Sequence, residues 1–137
     1  MKPFSFARTW RQRLGRDGES VAARLFGMLG CTLLCRNWRC RAGELDLVVL
    51  DGEILRFVEV KSLRRKAGFA PAGNLSPRQR RRNYAAAKIY RRVSGAQRLE
   101  ARFDLVEVVF DASRIAEVRR HPDYLPALPP MQGGAAR

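Results

Sequence analysis

Two β-rich runs flank an Asp-Gly step in this chain. Residues 43–50 read GELDLVVL and residues 53–63 read EILRFVEVKSL, with Asp51-Gly52 between them. Asp-Gly in that setting is a strong hairpin signal, because both residues tolerate the positive φ of tight two-residue turns. A hairpin fixes which side chains share a face. Glu44, Asp46, Val48 and Leu50 fall together on the first strand, and Glu53, Leu55, Phe57, Glu59 and Lys61 on the second. Leu45, Leu47, Val49, Ile54, Val58 and Val60 take the other face, which suits a core. With Asp51-Gly52 as the loop, Leu50 pairs with Glu53, Asp46 lies opposite Phe57, and Glu44 lies opposite Glu59. Asp46 and Glu59 are then diagonal neighbours, about 7–8 Å apart. A bulge or longer loop would move this register.

The flanking chain supplies helices and further strands. Residues 1–15 are basic with isolated aromatics (Phe4, Phe6, Trp10) and read as an N-terminal arm or short leading helix. Asp17 is placed to cap a helix whose apolar positions are Val21, Ala22, Leu25, Phe26 and Leu29, ended by Gly30. Residues 31–39 read as a strand, and residues 63–75 as a basic, Gly- and Pro-containing loop. Ser76-Pro77-Arg78-Gln79 marks a helix start twice over, by a Ser cap with Gln three residues on and by Pro at the first helical position. That helix is expected to run to about Arg92, with Gly95 in the following turn. Residues 102–111 read as another strand, and His121 onward as a tail. The order α-β-β-β-α-β implies an α/β fold with a mixed central sheet flanked by helices. The expected organisation is an arm over 1–15, one domain over 16–120 and a Pro/Gly-rich tail over 121–137.

Composition bounds the partners. With 137 residues, 27 Lys and Arg against 13 Asp and Glu, and a net charge of +14, the chain is sized for one domain and calls for a polyanion, most plausibly nucleic acid, although an acidic membrane surface also fits. No apolar run approaches the roughly 18 residues of a spanning helix, which argues against an integral membrane protein. The N-terminus lacks the apolar stretch of a secretory signal. Cys31, Cys35 and Cys40 match no zinc spacing and read as reduced thiols of a cytoplasmic protein. His121 is the only histidine and falls in the expected tail, which disfavours Ser-His or Cys-His catalysis.

The positive charge thins where the hairpin lies. Over residues 43–61 the acids Glu44, Asp46, Asp51, Glu53 and Glu59 outnumber the cations Arg56 and Lys61. Acids gathered on one sheet face repel, and a hard cation such as Mg²⁺ relieves this, because it takes oxygen ligands from one or two carboxylates plus phosphate and water. Lys61, on the same face as Glu59, suits the attacking water or the charge on a scissile phosphate. A half-exposed strand with a surface Lys–Glu pair is the plainer account of the same alternation. Arg64, Arg65 and Lys66 open the long loop, and Arg78, Arg80, Arg81 and Arg82 crowd the start of the second helix, where cations disfavour the helix but suit phosphate. Nothing in this set spells base readout.

Gly43-Glu44-Leu45-Asp46-Leu47 followed by Phe57-Val58-Glu59-Val60-Lys61 resembles the signature of the YraN family of uncharacterised bacterial proteins. Gly15-Arg16-Asp17-Gly18-Glu19, Asn37-Trp38-Arg39 and Arg102-Phe103-Asp104 extend the resemblance over roughly residues 15–110. Arg78 departs from it, standing where the family usually has Lys. The resemblance implies a restriction-endonuclease-like fold related to PD-(D/E)xK nucleases. It also implies Mg²⁺ or Mn²⁺ held by Asp46 and Glu59, Lys61 beside the attacking water, and Glu19 on the first helix completing the site. Glu19 is equally suited, as an early helical residue, to stabilising the helix dipole. The function expected is therefore a divalent-metal-dependent nuclease acting on DNA, linear or branched. Arg64, Arg65, Arg78 and Arg81 would hold the backbone, and a homodimer would serve to cut both strands of a duplex. The alternatives are a nucleic-acid-binding module without catalysis and an adaptor with a basic face.

Overall fold

Apolar side chains on both faces of the hairpin need a cover on each side, and the fold supplies one helix to each. A computed structural model of the chain describes residues 6–65 and 75–132, with backbone alone over residues 6–16. The order is α1 (Phe6–Met28), β1 (Thr32–Cys40), β2 (Gly43–Asp51), β3 (Ile54–Arg64), α2 (Pro77–Ser94), β4 (Glu100–Asp111) and β5 (Arg114–Leu128). The strands form one sheet in sequence order. β3 and β4 are parallel, as the α2 crossover requires, and the other neighbours are antiparallel. This is the expected α/β, restriction-endonuclease-like fold, a mixed sheet flanked by helices.

α1 covers one face. Ala22 and Phe26 bury against Leu47, Val49, Val58, Val106, Val108 and Phe110. Burying a Phe fully is worth about 1.5–3 kcal/mol. Gly18 makes the close approach possible, since a Cβ there would lie 1.9 Å from the Ser62 hydroxyl. Asp17 does not cap α1. The helix passes through it from Phe6, so the composition boundary after residue 15 falls inside the helix. Gly18 does not break the helix because its missing side chain is what lets α1 seat on β3. Gly30 (φ 84) ends the helix, with Cys31 N–H donating back to the Phe26 carbonyl. Leu29, expected on the apolar stripe, is exposed.

α2 covers the other face, against Val48, Leu55, Phe57, Ala101, Phe103 and Leu125. It begins as its sequence predicts, with Ser76 Oγ accepting from Gln79 N–H at 3.1 Å and Pro77 in the first turn, and it ends on left-handed Gly95. Edge-to-face contacts of Tyr90 with Trp38 and Phe57 fasten it to β1 and β3. Asn37 just before that Trp has φ 51, a value Asn tolerates better than most residues.

Further expectations change. The hairpin turn is Gly52-Glu53, with Gly52 at φ 59, so Asp51 pairs with Ile54 and Leu50 with Leu55. Gly is the residue favoured at the first central turn position, and putting it there slides the pairing by two residues. Faces are therefore kept for the paired residues, but partners change. Leu45 joins the α2-side cluster rather than Leu47 and Val49, since the β2–β3 pairing stops at Leu47 and Val58. The expected tail from His121 is in β5 as far as Leu128. It hides in sequence because an edge strand tolerates Pro122 and Pro126 and bends at Asp123 (φ 55). The loop expected over 63–75 is strand to Arg64, and residues 66–74, including Lys66, lie outside the described residues. Among the described residues no helix is long and apolar enough to cross a membrane.

Candidate metal and nucleic-acid site

The site forms where β2 leaves β3. Pairing ends at Leu47 and Val58, and the Asp46 carboxylate then accepts the Val60 N–H at 2.8 Å, taking the place of a ladder carbonyl. The two-residue slide converts the expected diagonal into direct contact, because Asp46 and Glu59 now share a side-chain hydrogen bond. Both are half-buried. Burial raises the Asp46 pKa to about 6, with the Val60 N–H opposing and the charges of Glu19 and Glu44 adding to the rise. Glu59 is raised to about 8, first by burial and then by the Asp46 charge and hydrogen bond, while Lys61 pulls it down. Both shifts run the same way, so the two carboxyls together hold on to a proton more tightly than free carboxyls do.

Helix α2 and strand β5 hold the pair in place. Gln79 Nε2 donates to Glu59 Oε1 and to Asn83 Oδ1, both at 3.2 Å. Asn83 Nδ2 donates to Tyr124 Oη at 2.7 Å. Burial drives the Tyr124 hydroxyl far above its usual pKa, so it stays neutral. Glu44, Asp46, Glu59, Gln79, Arg82 and Asn83 line a cavity of about 240 Å³. Arg82 reaches back to the Ala42 carbonyl at 3.5 Å.

The remaining expected residues separate. Lys61 lies beside Glu107 of β4 in the parallel register, on the strand that carries Glu59. Glu19 is half-buried in the body of α1, too far from its start to serve the dipole, and its charge reaches Asp46. Arg78 and Arg81 are exposed on the first turns of α2. Arg64 is exposed at the end of β3, and Arg65 lies 3.8 Å from Glu117 of β5. Among the described residues, no three His, Cys, Asp or Glu side chains converge as a ready-made ion cage.

Gln79, Asn83 and Tyr124 were not expected in the site. Gln79 reads in sequence as half of a capping box, but its side chain turns to Glu59. The available signal was polar residues at i and i+4 on the face of α2 that the core needs, Asn83 being buried there. Tyr124 had no signal, because β5 itself was hidden. His121, expected in a tail, lies in β5 with its Nε2 2.6 Å from Glu107 Oε1, on a residue only 2% exposed.

Other chains share this stretch. The family model described as "Uncharacterised protein family UPF0102" matches residues 18–108, from Gly18 and Glu19 through Asp46, Glu59, Lys61, Gln79 and Asn83 into β4. A UPF0102 protein of Anaeromyxobacter dehalogenans is 44% identical over 100 residues, covering 73% of this chain and 75% of its own. One of Pelotomaculum thermopropionicum is 41% identical over 101 residues, covering 74% and 84%. One of Streptomyces griseus is 45% identical over 101 residues, covering 72% and 84%. A match that runs through both helices and the acidic hairpin, at this identity, places the chain in a family: it belongs to UPF0102, the YraN family of uncharacterised proteins.

Proposed function

We propose that this protein is a divalent-metal-dependent nuclease that hydrolyses phosphodiester bonds of DNA. The observation that carries the reading is the Asp46–Glu59 carboxyl pair, half-buried, sharing one proton, with Lys61 two residues on. The pair offers carboxylate oxygens, which suit a hard ion such as Mg²⁺ or Mn²⁺ that commonly takes one or two carboxylates and fills its shell with water and phosphate. Asp46 and Glu59 would hold the ion, with Glu19 nearest in charge to complete the set. A bound ion of this kind neutralises phosphate charge and makes water more acidic.

The chain's own groups do the rest. Lys61 orients the attacking water or steadies charge on the phosphate. Gln79 fixes the Glu59 carboxyl, and Asn83 and Tyr124 fix Gln79. Arg78 and Arg81 meet the backbone beside the site, and Arg64 and Arg65 meet it farther along. These arginines suit recognition of backbone and DNA shape. The test is cleavage of branched, single- and double-stranded DNA with Mg²⁺ or Mn²⁺. Wild type is expected to cut, and Asp46→Ala and Lys61→Ala to fall to background. Cutting by either variant at the wild-type rate would remove it from the site. DNA binding with no metal-dependent cleavage would leave the non-catalytic binding module.

A further inference from the structure

The far end of α2 carries a second cavity, of about 330 Å³. That volume lies in the range of small-ligand pockets, about 300–1,000 Å³. Leu128, Pro129, Pro130 and Met131 form an apolar wall, and Lys88, Arg91, Arg92 and Gln97 complete the lining. Among the described residues, three cations and no acid therefore face one mostly apolar space.

Arg91 gives the cavity its character. It is 4% exposed, and its Nη2 donates to the carbonyls of Gln97, Leu99 and Pro129 at 2.8, 2.9 and 2.8 Å. Those bonds join the segment after α2 to the chain that follows β5, and so build the wall. Its Nε is buried with no partner, and among the described residues no carboxylate pairs with it. Burial accordingly pulls its pKa down. A buried guanidinium balanced only by carbonyl dipoles leaves positive potential in the wall. Lys88 and Arg92 add exposed charge to the same lining.

A bare phosphate would use the cations and waste the apolar wall. A phosphate carrying a flat, largely apolar body uses both, and guanidinium planes stack on bases. The exposed side of α2 links this cavity to the carboxyl site. At 3.6 residues per turn Arg78, Arg81, Lys88 and Arg92 fall within an arc of about 80°, and Gln79 and Arg91 stand about 18 Å apart along the axis. We propose that this cavity binds a nucleoside phosphate, as one unstacked nucleotide of a strand whose backbone follows α2. The strand rests on the nucleic-acid reading above, whereas the cavity's chemistry does not.

The test uses the full chain in EDTA, titrated calorimetrically with dAMP and separately with inorganic phosphate. Wild type and Asp46→Asn are expected to bind dAMP alike. Lys88→Gln/Arg92→Gln, at two exposed positions, is expected to bind it at least about tenfold more weakly, and wild type to bind phosphate about tenfold more weakly than dAMP. Failure to bind dAMP, equal binding by the double variant, or phosphate bound as tightly as dAMP would each overturn the proposal. A single-stranded oligonucleotide that displaces dAMP assigns the cavity to a strand. Lack of displacement overturns the strand and leaves a free nucleotide as occupant. A protein that passes this test but cuts no DNA keeps the cavity and loses the nuclease, and one that cuts DNA but fails it does the reverse.

Discussion

The sheet buries acid in two places, and it treats them in opposite ways. On the α1 side, Asp104 is fully buried on β4 and surrounded by cations. Arg120 donates to Oδ2 from Nε and Nη2 at 3.1 and 2.9 Å, and Arg56 donates to Oδ1 at 3.2 Å. Arg56 continues to Asp51 at 2.9 Å, and Arg120 lies 5.0 Å from the Phe26 ring centroid. On the α2 side, Asp46 and Glu59 have each other, one peptide N–H and one neutral amide, and the Lys61 charge lowers the Glu59 pKa. A chain with 27 Lys and Arg had cations to spare. Two arginines bond Asp104 directly, whereas Asp46 and Glu59 bond a peptide N–H and a neutral amide, and that difference separates a cross-link from a candidate site. The first is complete within the protein, whereas the second leaves two acids in contact, which is the place the proposed function gives to an ion.

The largest expected difference follows from this. Asp104→Asn leaves Arg56 and Arg120 without their shared counter-charge, and removing one partner of a buried pair costs about 3–5 kcal/mol. Asp46→Asn removes a repulsion and is expected to leave metal-free stability within about 1 kcal/mol of wild type, or to raise it. Urea unfolding of both variants checks the contrast, and equal losses would abolish it.

The next effect is pH dependence. Both carboxyls of the pair have folded pKa values above their unfolded ones, so between about pH 4 and pH 8 the folded state binds more protons than the unfolded state. Stability then falls as pH rises through that window, opposite in sign to an acid in a salt bridge. Relative to Glu59→Gln, metal-free wild type should lose on the order of 2 kcal/mol between pH 5 and pH 8. Mg²⁺ or Mn²⁺ at pH 8 should restore it by mass action. A wild type that tracks Glu59→Gln across the window would show that the pair carries no strained proton.

The contrast also explains what the sequence made legible. The hairpin, its faces and the acids on them follow from period-two alternation and one Asp-Gly step, and α2 follows from Ser76, Pro77 and Gly95. Those are local signals. The turn position is a choice between neighbouring residues worth little energy, and it decided whether Asp46 and Glu59 touch. Asp104 reads locally as one charged residue within an apolar strand, and only the return of β5 brings Arg120 to it. β5 itself is obscured by two prolines, so everything it contributes, including Tyr124 and the His121–Glu107 bond, was invisible for the same reason.

A smaller effect is expected at Gln79. It touches the Glu59 carboxyl and stands outside the acid pair, so Gln79→Ala should weaken divalent-ion affinity by about 10-fold or somewhat more, as loss of an orienting partner does. Calorimetric titration with Mn²⁺ measures it. Because Ser76 Oγ bonds the Gln79 backbone and not its side chain, the cap survives and α2 should stay folded. An unchanged affinity would mean that Glu59 is oriented by Asp46 alone.

The smallest effect lies with a cation that is exposed and only loosely paired. Arg65 is exposed, and its partner Glu117 stands at 3.8 Å, a separation and setting that contribute about 0–1 kcal/mol. Arg65→Ala should therefore leave the unfolding midpoint almost unmoved. If the residue meets a phosphate, the same change should weaken DNA binding uniformly across sequences and reduce the salt slope by about 1. Arg120→Ala should do the reverse, costing stability through Asp104 while the salt slope of whatever remains folded is unchanged. Two arginines of equal formal charge would then be sorted by a measurement that neither net charge nor position in the chain supplies. A salt slope that fell equally for both would mean that the Asp104 cluster is not closed to the solvent side, and that the division between internal and external cations is wrong.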